Sequence, residues 1–351
     1  MFNATMLNIA ERSTTFEDWR ITREQALALI PADAEEIMDL MGCANKIRQR
    51  FKFRRVFKCG IVNAKSGLCG EDCAFCAQSA HHEGRIETYG MRSAEDLIQT
   101  GLRLAEAGAT HYSIVTSGTC LDGAELDTVC RAARTLSQAS ELTLCASLGM
   151  LSPEAAGTLK EAGIARYHHN LETAPSYFDR ICTTHAYADA LATIQAARSA
   201  GLEVCSGGIF GMGESWEQRI ELALVLRELD VDAIPINFLH PIPGTPLGDR
   251  LPLAPLEALA CIALFRFVHP HRDITIAGGR EITLGDFQSW IFFAGANGLM
   301  VGNYLTTRGR DIATDLEMIA QQGLTNGTRG TFAAPPLHKK KRQPAAHILG
   351  S

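Results

Sequence analysis

Three cysteines, Cys69, Cys73 and Cys76, stand at the spacing C-x3-C-x2-C in the run Cys69-Gly70-Glu71-Asp72-Cys73-Ala74-Phe75-Cys76. Thiolates packed two or three residues apart are the usual ligands of iron–sulfur clusters. A [4Fe–4S] cubane held by three local thiolates keeps one iron open. An open iron can take the amino and carboxylate groups of S-adenosylmethionine. Electron transfer from the cluster then breaks a carbon–sulfur bond and releases a 5′-deoxyadenosyl radical, with the protein positioning the cofactor. Phe75, one residue before the last cysteine, can stack on the adenine. Two other chemistries use clustered thiols. Structural zinc wants C-x2-C pairs and four closed ligands. Redox thiols or plainly buried cysteines are the ordinary alternative in a reduced compartment. The open trio favours the cluster.

The rest of the chain must position that loop. At 351 residues and 46% hydrophobic content it can bury a large core, as one domain or two. The net charge of −6 gives no global basic field for nucleic acid. No run of about 18 apolar residues and no leader pattern occurs, so the expectation is a cytoplasmic protein with no membrane partner. Eleven cysteines without a secretion signal point to metal-bound thiols rather than disulfides. Residues 1–50 read as a polar helical extension, and the basic run at 46–58 as a solvated entry helix. From residue 51 short apolar runs alternate with helical patterns. Strands are expected near 56–62, 111–116, 141–147, 165–169, 203–209, 233–239, 273–277 and 298–304. Helices are expected at 93–107, 123–138, 153–162, 186–200, 215–229, 255–268, 283–294 and 311–322. Such alternation implies a parallel sheet with right-handed crossovers. Eight units predict an α/β fold of the (β/α)8 TIM-barrel type over 51–326, with an open six-stranded sheet as the alternative. Residues 327–351, with their Lys/Arg run, read as a disordered basic tail.

Chemistry in such a barrel sits at the C-terminal strand ends. Cys59 and Asn63, Ser113 and Thr116, Cys145, Asn170 and Glu172, Cys205 and Asn237 all fall on or just after predicted strands. Buried amides and hydroxyls need partners, so several on different strands argue for a shared ligand. The turn Ser206-Gly207-Gly208-Ile209-Phe210-Gly211 follows the fifth strand, and glycines such as Gly208 and Gly211 allow close backbone approach to a cofactor.

The run from Ser66 to Ser79, with Glu71-Asp72 before the second cysteine and Gln78-Ser79 after the third, resembles the cluster loop of the biotin synthase family of radical S-adenosylmethionine enzymes. The resemblance extends from about Ala44 to about Leu324. It implies the complete barrel and conversion of dethiobiotin to biotin by radical sulfur insertion. It also implies a homodimer and a flavodoxin- or ferredoxin-type electron donor. The segment Tyr167–Thr173 is similar to the family's Asn-His-Asn-Leu-Asp stretch. That similarity assigns Asn170 to the substrate's cyclic urea and Glu172 to the cofactor ribose. It puts His168 in place of a common asparagine, with His169 facing away into barrel packing. Asn237 matches a second substrate asparagine. Where the better-known members hold a [2Fe–2S] cluster with three cysteines and an arginine, this chain carries Ser113, Cys145, Cys205 and Thr275. Cys59, in Lys58-Cys59-Gly60-Ile61-Val62-Asn63, resembles a subgroup with a different auxiliary cluster. The expectation is a four-iron auxiliary cluster on Cys59, Cys145 and Cys205, with Cys182 a further candidate ligand. A [2Fe–2S] centre using Ser113 is the alternative. The competing functions are a related radical maturase and a cluster-carrying electron-transfer or sensor protein.

Overall fold

The computed structural model describes residues 3–16 and 18–324. The expectations for 327–351 lie outside the described residues. Nine parallel strands run in chain order: β1 (Phe57–Lys65), β2 (His111–Thr116), β3 (Thr143–Ser147), β4 (Arg166–His168), β5 (Glu203–Cys205), β6 (Gly208–Phe210), β7 (Ala233–Phe238), β8 (Asp273–Ile276) and β9 (Gly298–Val301). Their order is β5-β4-β3-β2-β1-β9-β8-β7-β6, and a further β5–β7 pairing closes the sheet into a barrel. The fifth barrel strand is thus built from two pieces. Ser206 and Gly207 interrupt it, and Asn170 Oδ1 accepts from the Gly207 N–H at 3.2 Å.

Three helices precede the barrel: α1 (Ala4–Thr15), α2 (Arg23–Leu27) and α3 (Ala34–Lys52). The crossovers are α4 (Ala94–Glu106), α5 (Gly123–Ala139), α6 (Pro153–Glu161), α7 (Tyr187–Ser199), α8 (Trp216–Glu228), α9 (Pro255–Val268) and α10 (Arg280–Leu284), with α11 (Ile312–Gln321) last. Side-chain caps set several starts. Ser93 accepts from the Asp96 N–H, and Asp122 with Glu125 and Ser215 with Gln218 form reciprocal capping boxes. The helix expected over 283–294 is mostly absent. Gly285, at a φ of 47°, ends α10, and 3-10 turns carry the chain to Ile291. The basic entry segment is not uniformly solvated: Arg48 and Lys58 are both buried. Arg48 is held inside because Nη1 donates to the Phe53 carbonyl and Nη2 to Asn45 Oδ1.

The pleat decides what faces the barrel interior. Alternate residues share a face, and the parallel register lays Ser113 beside Cys145, Cys145 beside Arg166, and His168 beside Cys205. Among the described residues no helix is long and apolar enough to cross a membrane.

Candidate active site

The cluster loop leaves β1 through Gly67 and Leu68, both at positive φ, a conformation costly for leucine. Its own backbone then folds it back. Cys69 N–H donates to the Gln78 carbonyl at 2.9 Å, Ala80 N–H to the Cys69 carbonyl at 2.8 Å, and Cys76 N–H to the Cys73 carbonyl at 2.9 Å. Gln78 Oε1 accepts from Gly67 N–H, and Ser79 Oγ donates to the Glu71 carbonyl. The pair Glu71–Asp72 ties the loop to the segment after β4. Asp72 Oδ1 accepts from the Thr183 and Thr184 amides at 2.8 and 3.3 Å, and Thr183 Oγ1 also donates to this carboxylate. Glu71 accepts from Thr119 and Thr184, with His185 Nδ1 2.7 Å from Oε2. Burial opposes ionisation of Asp72, but the Thr183 hydrogen bonds outweigh it and hold the carboxyl well below its ordinary range.

Cys182 belongs to this tether. Its thiol lies 3.2 Å from Asp72 Oδ1 and 3.2 Å from His185 Nδ1, and it is not brought into the auxiliary set as expected. Glu71, Cys182 and His185 place one donor atom each within 4.8 Å of one another. A tetrahedral ion with arms of about 2.0–2.3 Å needs donors roughly 3.3–3.7 Å apart. Here the contacts are of hydrogen-bond length, so the group is a clasp between two loops.

Beneath the loop lies a cavity of about 450 Å3 inside the barrel. Cys73, Phe75 and Cys76 line its mouth. Phe75 packs against the small apolar cluster of Ile181, Met212 and Leu239. Deeper in, Cys59, Ser113, Cys145, Cys205 and Thr275 line the wall together with Arg166. Burial pushes the Cys59 and Cys205 thiols up to about 12, and lifts Cys145 as well. These thiols have little to do inside the protein: Cys145 Sγ reaches the Thr143 carbonyl at 3.7 Å, and Cys205 Sγ lies 3.4 Å from His168 Nδ1. Three thiols, Cys145 buried and Cys59 and Cys205 half-buried, converge on one cavity and suit a thiolate-bound centre.

Between the two thiol groups stand the amides. Asn170 Nδ2 donates to Glu172 Oε2 at 3.3 Å. Asn237 Nδ2 donates to the Gly208 carbonyl at 3.2 Å, and its Oδ1 accepts from Gly278 N–H at 2.9 Å. An amide has two donor hydrogens and two acceptor lone pairs, so each keeps capacity for a ligand. Glu172 has a φ of 63°, and burial pushes its carboxyl up to about 7. Burial lowers His168 and His169 to about 4. Both residues line the cavity.

Gly208 and Gly211 answer to packing. A Cβ on Gly208 would meet the Glu172 carbonyl at 2.5 Å and Leu222 at 2.8 Å. Gly211 has a φ of 94° and donates to Glu214 Oε1 at 2.9 Å. Neither lines the cavity; Ile209 between them does. Sequence reasoning passed over Arg166, although it stands two residues before His168 and so shares its inward face. It also passed over the strap Tyr304–Thr307, which covers part of the cavity and whose Leu305 carbonyl accepts from Asn63 Nδ2 at 3.0 Å.

Residues 65–226 match the Radical SAM superfamily, and residues 235–325 match the Biotin and Thiamin Synthesis associated domain. The chain is 55% identical over 313 residues to the biotin synthase of Nitratidesulfovibrio vulgaris strain Miyazaki F, covering 87% of this chain and 86% of that protein. It is 52% identical over 324 residues to the biotin synthase of Syntrophus aciditrophicus, covering 92% and 99%. Among solved structures it resembles methylornithine synthase, with a TM-score of 0.78 at 19% identity, covering 90% of this chain and 96% of that one. The FeFe-hydrogenase maturase of Carboxydothermus hydrogenoformans gives a TM-score of 0.76 at 14% identity, covering 91% and 78%. These two likenesses concern the fold.

Proposed function

The chain belongs to the biotin synthase family, and from that premise we propose how its residues share the work of turning dethiobiotin into biotin. It is a sulfurtransferase of the radical S-adenosylmethionine type. The hydrogenase-maturase alternative is set aside, because that likeness stops at the fold while the biotin synthase identity runs through most of the chain.

One observation supports the division of labour: a three-cysteine loop over a cavity, buried thiols in its depth, and two asparagine side chains in between. Cys69, Cys73 and Cys76 hold the [4Fe–4S] cluster. Cys59, Cys145 and Cys205 hold an auxiliary cluster of the four-iron type, and Ser113 is a ligand in the [2Fe–2S] alternative. When bound, the first cluster with S-adenosylmethionine supplies the 5′-deoxyadenosyl radical that takes hydrogen from C9 and then C6 of dethiobiotin, and the second supplies the sulfur. Phe75 packs on the adenine and Glu172 meets the ribose. Asn170 and Asn237 hold the urea of dethiobiotin with the donors and acceptors that their internal bonds leave over. The closed barrel excludes water and keeps reacting atoms close together. The electron donor is of flavodoxin or ferredoxin type and the assembly is a homodimer, both carried over from the family resemblance.

The test is anaerobic reduction of the reconstituted protein with S-adenosylmethionine and dethiobiotin. Biotin together with 5′-deoxyadenosine is expected. Loss of 5′-deoxyadenosine in Cys73→Ala, with the fold retained, supports the loop assignment; its continued production in an iron-replete variant would overturn it.

A further inference from the structure

Resting on the reading of Cys59, Cys145 and Cys205 as auxiliary thiols, we propose that Arg166 is the positioning residue of that site: a fixed cation that lets three thiolates stand together and sets the potential of the centre they bind. Arg166 is the one arginine or lysine lining the cavity among the described residues. It opens β4 directly beside Cys145 on β3, and is only 8% exposed. Its side chain is aimed. Nε and Nη2 both donate to Glu203 Oε2, at 2.9 and 2.7 Å. That side-on pairing leaves the Nη1 hydrogens directed away from the carboxylate. Glu203 itself is half in solvent, at 52% side-chain exposure, so the guanidinium is anchored from the outer end of the barrel.

The charge is needed there. Three thiolates gathered in a buried site strongly disfavour one another unless a cation offsets them. The position where the better-known family members carry an arginine is Thr275, a neutral residue on β8. A guanidinium stays protonated and presents only donors, so Arg166 acts as a charge and hydrogen-bond donor and not as an iron ligand. Charge and hydrogen bonds at the sulfurs tune iron–sulfur potentials. Removing this cation makes the auxiliary centre harder to reduce.

The experiment uses full-length Cys69→Ala/Cys73→Ala/Cys76→Ala protein, reconstituted anaerobically, with Arg166 intact, as Arg166→Lys and as Arg166→Gln. Iron and sulfide per chain and the midpoint potential by redox titration are read, with circular dichroism reporting the fold. Absence of iron with Arg166 intact would sink the underlying reading of the thiols, separately from the role of Arg166. With iron present, Arg166→Gln is expected to shift the reduced-to-oxidised ratio at fixed potential at least tenfold toward the oxidised form, about 59 mV for one electron. Emptying of the site in Arg166→Gln while Arg166→Lys keeps its iron supports the proposal equally. If Arg166→Gln loses its fold, the weight passes to Arg166→Lys, which must keep both iron and potential. Unchanged iron and potential in Arg166→Gln, or an Arg166→Lys protein as impaired as Arg166→Gln, overturns the assignment.

Discussion

Glu172 combines two unfavourable features, a left-handed backbone and a buried carboxyl, in the middle of the cavity wall. Its pKa rises from 4.5 to about 7 because burial penalises the ionised form. The folded protein therefore holds this proton more tightly than the unfolded chain does. The stability that the proton provides is full below about 4.5 and is lost as pH rises through about 7. Cluster-free protein should lose roughly 3 kcal/mol at most between those limits by denaturant titration, and Glu172→Gln should flatten the profile. A profile equally steep in the variant would remove Glu172 as the cause. Asn237 makes a second prediction. Replacing it by alanine leaves a buried urea short of a partner, so dethiobiotin binding should weaken by roughly 1–3 kcal/mol while S-adenosylmethionine binding changes less. Calorimetry with each ligand separates the two. Asn170 and Asn237 were legible in the sequence because buried amides on strands need a ligand or a backbone partner. Both have backbone partners, Gly207 N–H for Asn170 and the Gly208 carbonyl and Gly278 N–H for Asn237, and that half was not legible.

At the scale of elements, the segment after β4 holds the cluster loop in place through Asp72. Asp72→Ala should speed hydrogen exchange at the Thr183 and Thr184 amides by roughly 10- to 100-fold, the equivalent of about 1–3 kcal/mol locally, with little change in overall stability. Unaltered protection there would mean that the clasp carries no load. Gly208→Ala tests the split fifth strand. The added Cβ would press on the Glu172 backbone at 2.5 Å and on Leu222, and should destabilise the fold by roughly 1–3 kcal/mol in thermal or chemical unfolding. The eight barrel strands could be read in advance, because period-two and period-3.6 runs alternate along the chain. The break in the fifth strand could not. A Gly-Gly pair does not say in advance how closely a neighbouring backbone approaches it, and here a Cβ on Gly208 would meet the Glu172 carbonyl at 2.5 Å. The clasp was hidden for another reason: Glu71-Asp72 and Thr183-Thr184 are more than a hundred residues apart and meet only once the barrel closes.

For the molecule as a whole, one barrel cavity joins two groups of thiols. Cys73 and Cys76 of the loop line its mouth, and Cys59, Cys145 and Cys205 line its depth beside Arg166, with Asn170 and Asn237 also on its wall. The loop trio announces itself by spacing. The deep set has no spacing motif, since its members come from β1, β3 and β5 and are brought together only by register and pleat. Cys182 follows a strand end as a ligand would, and its thiol is engaged by Asp72 and His185, partners that no sequence spacing reveals. That the two thiol groups are separate centres is the central claim. Iron per chain in full-length Cys69→Ala/Cys73→Ala/Cys76→Ala protein, counted after anaerobic reconstitution, tests it most directly. The account predicts about four irons remaining on Cys59, Cys145 and Cys205; a protein that retains none would contradict it.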